Sequence, residues 1–565
     1  MVTILREYRE KILLVLLLVF LGGYRVLLIQ TGQLYWVDEY RYLHALHLLD
    51  ELRQGDLARG LFWVFGSDAT EAGVGSRPMY IFLSTIPAFI QGVAHLFMNL
   101  QPSDPAFYRI PAMFNVAVSL GIAVLFYRLV LLVSGDRALA LLGVFVYGLL
   151  ANTNLYVRHL LAYDLSLLLL LTSLVLLLDP WLQSRPRSQV IAAGLLAGIG
   201  VTTYPGYYYF PLILVAALLV GPHGSWRLVT VFLVSTLSVF AGLEGVARLG
   251  SFSFVGSSYR FTQIVPGGLD ELFGEGYRIL PLYLLNIEGF AGILLLVLFA
   301  CFVVLAVRGK YGRTEIAVIG GATAAFLAHA TSVVVFHFGA LHGRLLHMYI
   351  PFMVLASVLA VRVVPGSKLR MGLACMLMTA SVTAFVPTAA NALAIHYPRD
   401  VARNLVASLG PGTKTCSKVD ETGGIVKLSP DCNLTASKAL VIRSSRDVAR
   451  EPAASVMPET KVCNRWKDDS GIIEELPGDC DVVLDNFKNL YPPSLEVVDA
   501  TPPPGFVLSA AYEHPLRFAP NWFEGFRPEE RARLARRPPM MRIYTRVIPL
   551  GKNLPTANGT TRDGR

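Results

Sequence analysis

Two acidic sites and a scatter of basic residues have the types and placement for acid–base chemistry on an anionic substrate. Asp38 and Glu39 stand side by side just after an apolar run at 12–29, and Asp164 opens another at 162–180. A carboxylate at the mouth of an apolar segment can take the proton of an attacking hydroxyl. Arg77, Arg158, His159, Arg260, His342 and Arg344 fall in neighbouring stretches. Guanidiniums beside carboxylates suit a substrate that carries phosphate or carboxylate. Each residue also has a plainer reading: Asp38 and Asp164 are good helix N-caps, and an interfacial Arg344 can pair with lipid headgroups.

The elements that must position these residues are membrane helices. The chain has 565 residues, 54% of them hydrophobic and 16% charged, with a mean hydropathy of +0.52. That is far more apolar than a soluble domain. Apolar runs near 12–29, 109–133, 137–155, 162–180, 189–203, 205–221, 227–248, 281–306, 315–338, 344–361 and 369–390 each approach the length that spans a bilayer. The first run follows Arg6, Arg9 and Lys11 without a small-residue cleavage site, so it reads as a retained helix and not a signal peptide.

Basic residues set the sidedness. Arg128, Arg137, Arg185, Arg187, Arg227, Arg308, Lys310, Arg313, Arg362, Lys368 and Arg370 fall between runs on one common side, shared with the N-terminus, which positive-inside bias makes cytoplasmic. The parity holds only if 79–98 is an interfacial helix. The expected architecture is therefore an α-helical polytopic membrane protein of about 11 spans plus interfacial helices. Residues 1–390 form this membrane domain, with its first outward loop at 30–78. The same bias accounts for the formal charge of +9 without a nucleic-acid partner.

From 391 to 565 the sequence has ordinary charge density, Pro-rich turns and short alternating runs at 439–443 and 481–485, which reads as a soluble extracytoplasmic α/β domain. Cys416, Cys432, Cys463 and Cys480 bracket two similar segments, CSKVDETGGIVKLSPDC and CNRWKDDSGIIEELPGDC. A disulfide within each segment suits an oxidising compartment, with zinc as the rival; no CxxC spacing favours zinc. Asn433 and Asn558 begin sequons that matter only in a eukaryotic secretory pathway. The chain shows neither a P-loop nor a dinucleotide fingerprint.

The order of motifs resembles the GT-C superfamily of polyprenyl-phosphate-sugar-dependent glycosyltransferases, nearest the protein mannosyltransferase and aminoarabinose transferase branch. The resemblance runs through VDEYRYLHAL at 37–46, SRPMYIFLSTIPAF at 76–89, RIPAMFNVAVSLGIAVLFYRLV at 109–130 and GDRALALLGVFVYGLL at 135–150. YVRHLLAYDLSLLLLLTSL at 156–174, AAGLLAGIGVTTYPGYYYFP at 192–211 and HGRLLHMYIPFMVLAS at 342–357 continue it.

It implies an inverting transfer of a sugar from a polyprenyl-phosphate donor to an acceptor hydroxyl on a lipid, glycan or protein, at the outer face of a bacterial inner or plasma membrane. It implies Asp38, supported by Glu39, as catalytic base, Asp164 as the second acid, and Arg77 on the donor phosphate, helped by Arg158 or Arg344. Relatives carry Thr-Lys-Gly where this chain has Thr203-Tyr204-Pro205-Gly206, so Tyr204 stands in the place of a phosphate-side lysine. Ser76 replaces a common Glu, which leaves a divalent metal open and its ligands unknown. Two other functions fit the composition: a transporter or flippase of lipid-linked sugars, and a non-catalytic scaffold that displays the tail.

Overall fold

In lipid an apolar chain must satisfy its backbone polar groups internally, and this chain does so as helices. The computed structural model describes residues 2–29, 41–66, 77–98, 105–155, 157, 159–179, 186–220, 224–264, 276–336, 338, 341, 343–394, 415–418, 482–486, 506–513 and 539–546. In chain order the helices begin with α1 (Val2–Ile29), α2 (Arg41–Arg53), α3 (Leu57–Leu61, running into a π turn at Phe62–Gly66) and α4 (Pro78–Met98). Next come α5 (Arg109–Ser134), α6 (Arg137–Leu149), α7 (Ala151–Leu155), α8 (Tyr163–Leu178), α9 (Pro186–Thr203), α10 (Phe210–Val220) and α11 (Trp226–Leu249). The rest are α12 (Phe254–Ile264), α13 (Ile279–Ile287), α14 (Gly289–Val307), α15 (Arg313–Phe336), α16 (Gly343–Leu346), α17 (Ile350–Val363) and α18 (Ser367–Ala394).

Among the described residues, seven helices are long and apolar enough to cross a membrane: α1, α4, α5, α11, α14, α15 and α18. The chain is thus a multi-pass helical membrane protein. Four expected spans are not single helices; in one, 205–221, a turn at Pro205–Tyr207 precedes α10. The run 137–155 breaks at Leu150 between α6 and α7, and 281–306 breaks at Glu288 between α13 and α14. The run 344–361 becomes the short α16 and then α17 from Ile350. Gly289, at φ +54, takes the left-handed conformation that ends α13. The 21 residues of α4 satisfy a span by length and composition, so an interfacial placement of 79–98 rests on charge parity alone.

Small residues let helices close up. A Cβ on Gly194 would lie 2.6 Å from Phe232 O, and one on Gly198 would lie 2.8 Å from Thr236 O, so α9 meets the backbone of α11 directly. Thr236 Oγ1 donates to Gly194 O at 3.1 Å, while Ser166 and Ser173 of α8 donate to Gly200 O at 2.7 Å and Ala193 O at 2.8 Å of α9. Outward faces keep apolar residues such as Phe97, Val234, Leu237 and Val307 exposed, as a lipid-facing surface requires.

The basic loops gather at one end. Arg128 pairs with Asp179 at 2.9 Å, Arg137 with Glu10 at 3.9 Å and Arg362 with Glu315 at 2.7 Å, while Arg362 also donates to Ser134 O at 3.0 Å. Contacts therefore join loops that charge parity alone had grouped.

In the tail, the described residues are four strands: β1 (Thr415–Lys418), β2 (Val482–Asn486), β3 (Phe506–Glu513) and β4 (Pro539–Arg546). They form one mixed sheet in the order β1-β2-β4-β3, with β1 parallel to β2 and the other pairs antiparallel. The alternating run at 481–485 falls on β2. The run 439–443 and Cys432, Cys463 and Cys480 lie outside the described residues, and the Cys416 side chain does too.

Candidate functional site

The break at Leu150 builds the site. Leu150 is extended (φ −64, ψ 143), which strands carbonyls at the end of α6 and amides at the start of α7 inside the protein. Two consecutive residues and one distant acid satisfy them. Thr153 Oγ1 donates to Tyr147 O at 2.7 Å, and Asn154 Nδ2 donates to Gly148 O and Leu150 O, both at 2.8 Å. The carboxylate of Glu288 accepts from Ala151 N at 2.8 Å and Asn152 N at 2.9 Å. Glu288 is a fully buried helix cap supplied from the α13–α14 break.

This leaves the Asn152 side chain to organise chemistry. Its Nδ2 donates to Tyr283 OH at 2.8 Å, and its Oδ1 faces His347 Nδ1 at 2.6 Å. The other ring nitrogen, Nε2, is 2.8 Å from Asp164 Oδ1. Asp164 sits in the first turn of α8, where the helix dipole favours an acid. The cap of α8 is Ala162 and makes no side-chain cap bond, so Asp164 is not the N-cap. It also does not face an open cavity: only 5% of the residue is exposed, and its carboxylate is turned onto His347. The preceding loop is pinned by Tyr80 OH donating to Leu160 O and by Asn115 Nδ2 donating to His159 O, each at 2.5 Å.

A buried arginine from α1 completes this core. Arg25 is 1% exposed and donates to Asn154 Oδ1 and Ser119 Oγ, each at 3.1 Å, within electrostatic reach of Asp164.

Beside Asp164, Tyr163 leads to the second group. The Tyr204 ring meets Tyr163 edge-on with centroids 4.4 Å apart and Tyr207 at 4.9 Å, and the guanidinium carbon of Arg77 lies 4.9 Å above its face. Tyr204 is extended ahead of the Pro205–Tyr207 turn, and a Cβ on Gly206 would collide with Leu345 and with the Tyr204 ring itself. Arg77, immediately before α4, is thus held over an aromatic face by cation–π attraction.

Of the residues expected from sequence, Arg77 and Tyr204 are in contact, and Tyr204 packs on Tyr163, the residue before Asp164. Asp38, Glu39 and Arg158 lie outside the described residues, as does the Arg344 side chain, although its backbone is in α16, just before His347. Arg25, Asn152, Tyr283, Glu288 and His347 were missed. Their signal was an ionisable or amide residue within or beside an apolar run, which in a membrane helix needs a reason.

Between α1 and α4, His47 is buried and stacked on Trp63 at 4.2 Å, and His44 is tilted against the same ring at 5.6 Å. Burial lowers both imidazoles to about 3, with Arg41 adding to the effect at His44 and His44 adding to it at His47.

Among the described residues no group of three His, Cys, Asp or Glu could hold a metal. A groove of about 580 Å³, lined by Leu13, Leu142, Phe145, Met371 and Arg370, lies at the basic end of the molecule and contains none of the site residues.

No protein-family model matches this chain, and no curated protein is similar to it. Among solved structures, the crystal structure of ArnT from Cupriavidus metallidurans in the apo state is similar to it, with 12% identity and a TM-score of 0.41. The similarity covers 94% of this chain and 97% of that one. At that identity and score the likeness fixes no correspondence between residues.

Proposed function

We propose that the chain is an inverting membrane glycosyltransferase that moves a sugar from a polyprenyl-phosphate donor to an acceptor hydroxyl. The observation that supports this reading is the contact of Arg77 with Tyr204 and of Tyr204 with Tyr163, the residue before Asp164, at the end of α8 opposite Asp179, which pairs with Arg128 of a basic loop. It puts a cation on an aromatic wall next to a buried, oriented acid. A lipid-linked phosphate offers the anion for the first and an apolar tail for the wall.

On this reading the donor enters sideways from the outer leaflet. The acceptor oxygen attacks the anomeric carbon from the face opposite the phosphate, its proton passes to Asp38, and the C–O bond pair leaves with the phosphate. Arg77, with Arg158 or Arg344, meets the charge that grows on the departing oxygen. Asp164 orients the acceptor side. The N-terminus is cytoplasmic, residues 391–565 are extracytoplasmic, and Cys416–Cys432 and Cys463–Cys480 pair there.

The test is transfer from a panel of radiolabelled polyprenyl-phosphate sugars by purified protein in lipid, beside Asp38→Asn and Asp164→Asn variants checked for folding. Transfer that collapses in both variants supports the assignment and names the donor. Folded protein that transfers from no donor overturns it.

A second reading, a transporter or flippase of lipid-linked sugars, is favoured by one observation: Arg25, Asp164, Glu288 and His347 are all buried in the helix bundle, as proton or ion relays are. It predicts movement of donor between leaflets without transfer.

A further inference from the structure

Among the described residues the side chain hydrogen-bonded to Asp164 is His347, and that partner is itself fixed. Both ring nitrogens of His347 face oxygen: Asp164 Oδ1 at 2.8 Å and Asn152 Oδ1 at 2.6 Å. The Asn152 amide is oriented by Tyr283, to which its Nδ2 donates, and its backbone is held by Glu288. An imidazole between two acceptors satisfies both only if both nitrogens carry protons.

The neighbouring groups agree. Arg25 from α1 and Tyr147 from α6 are within electrostatic reach of Asp164 and of each other. Tyr283 from α13 and Glu288 from the α13–α14 break close the far side. Arg25 gives its hydrogen bonds to Asn154 and Ser119, so among the described residues the donor that closes on Asp164 Oδ1 is the His347 ring. Arg77 stands over the Tyr204 ring, outside this cluster.

We propose that His347 is a doubly protonated positioning residue, donating from Nε2 to Asp164 and from Nδ1 to Asn152, so that Asp164 is held as an oriented carboxylate. This rests on the glycosyl-transfer reading for its consequence but not for its chemistry. His347 touches no reacting atom. Its neutral alternative requires the Asn152 amide to turn over, with Tyr283 donating to Asn152 Oδ1 and Asn152 Nδ2 donating to the ring.

Two measurements on full-length protein in lipid bilayers test it. Nitrogen-15 NMR of histidine-labelled protein, with His347 assigned by its loss in His347→Gln, is expected to show both ring nitrogens protonated at neutral pH; an unprotonated nitrogen overturns the proposal. In the transfer assay, folded His347→Gln is expected to lose about tenfold or more in kcat, the least that losing a hydrogen bond to a charged group gives. Its donor KM should stay within about twofold, because in the proposed reading the donor phosphate is met by Arg77 and not by His347. The double variant with Asp164→Asn should be no slower than Asp164→Asn alone, since two residues that act as one unit do not add. Additive losses, or full activity in His347→Gln, overturn the positioning role. If wild type transfers nothing, the transferase reading fails while the NMR result still decides the state of His347.

Discussion

Glu288 is the residue on which the site's geometry depends most and which chemistry touches least. Its two oxygens accept from Ala151 N and Asn152 N inside the bundle. In Glu288→Ala both amides lose their acceptor where water does not reach. A buried unsatisfied donor costs about 1–3 kcal/mol, so the pair costs about 2–6 kcal/mol, less whatever is recovered by no longer burying a carboxylate. Glu288→Gln keeps one acceptor oxygen and turns an NH2 towards the other amide, so about half the loss is expected. The assay is unfolding by SDS titration in mixed micelles, followed by near-ultraviolet circular dichroism. The order wild type, then Gln, then Ala is the expected result. Because Asn152 carries His347 and His347 carries Asp164, transfer should fall in the same order. An Ala variant within about 0.5 kcal/mol of wild type, the usual scale of a change away from any such feature, would refute the capping argument.

Three further outcomes are expected. Folded Arg77→Gln should raise the donor KM by about 10- to 150-fold, the range for a hydrogen bond to a charged group, with a smaller effect on kcat, as kinetics with a radiolabelled donor will show. Gly198→Ala should destabilise by about 1–3 kcal/mol, since its Cβ meets the Thr236 carbonyl at 2.8 Å and one helix must move; SDS titration reads this directly. His44 and His47 should make the α2–α3 segment acid-sensitive. The unfolded chain takes up protons below about 6.5 that the folded state refuses until about 3, so stability is full above the first value and falls towards the second. The slope is up to about 2.7 kcal/mol per pH unit for the two together. His47→Phe, which keeps an aromatic ring on Trp63, should flatten the acid limb of the unfolding midpoint against pH.

What the sequence reveals here and what it hides have physical causes. Apolar runs and basic loop residues are local signals, so helix positions and the clustering of Arg128, Arg137 and Arg362 at one end could be read directly. The breaks at Leu150 and Glu288 are marked in the sequence by Asn152-Thr153-Asn154 and by Glu288-Gly289, but the pairing of one break with the other is a tertiary fact that no local pattern carries. Glu288 caps a helix that begins 137 residues earlier. Arg77 and Tyr204 were each legible as phosphate-side candidates, but their contact is a tertiary fact. Arg25, alone among the apolar residues at 12–29, was a visible anomaly that the count of spans passed over.

That anomaly bears on how the site keeps its shape. An arginine buried in a membrane helix is costly unless its donors are used, and Arg25 spends them on Asn154 and Ser119, not directly on Asp164. Asn154 in turn satisfies carbonyls freed by the break at Leu150. Arg25 therefore stabilises the backbone kink that presents Asn152, while its charge still reaches Asp164 through space. A methionine of similar volume would remove both effects at once. A lysine would keep the charge but not the forked geometry that reaches Asn154 and Ser119 together. If the kink matters more than the charge, Arg25→Lys will behave like Arg25→Met in both unfolding and transfer; if the charge matters more, Arg25→Lys will keep most of the transfer rate while losing stability.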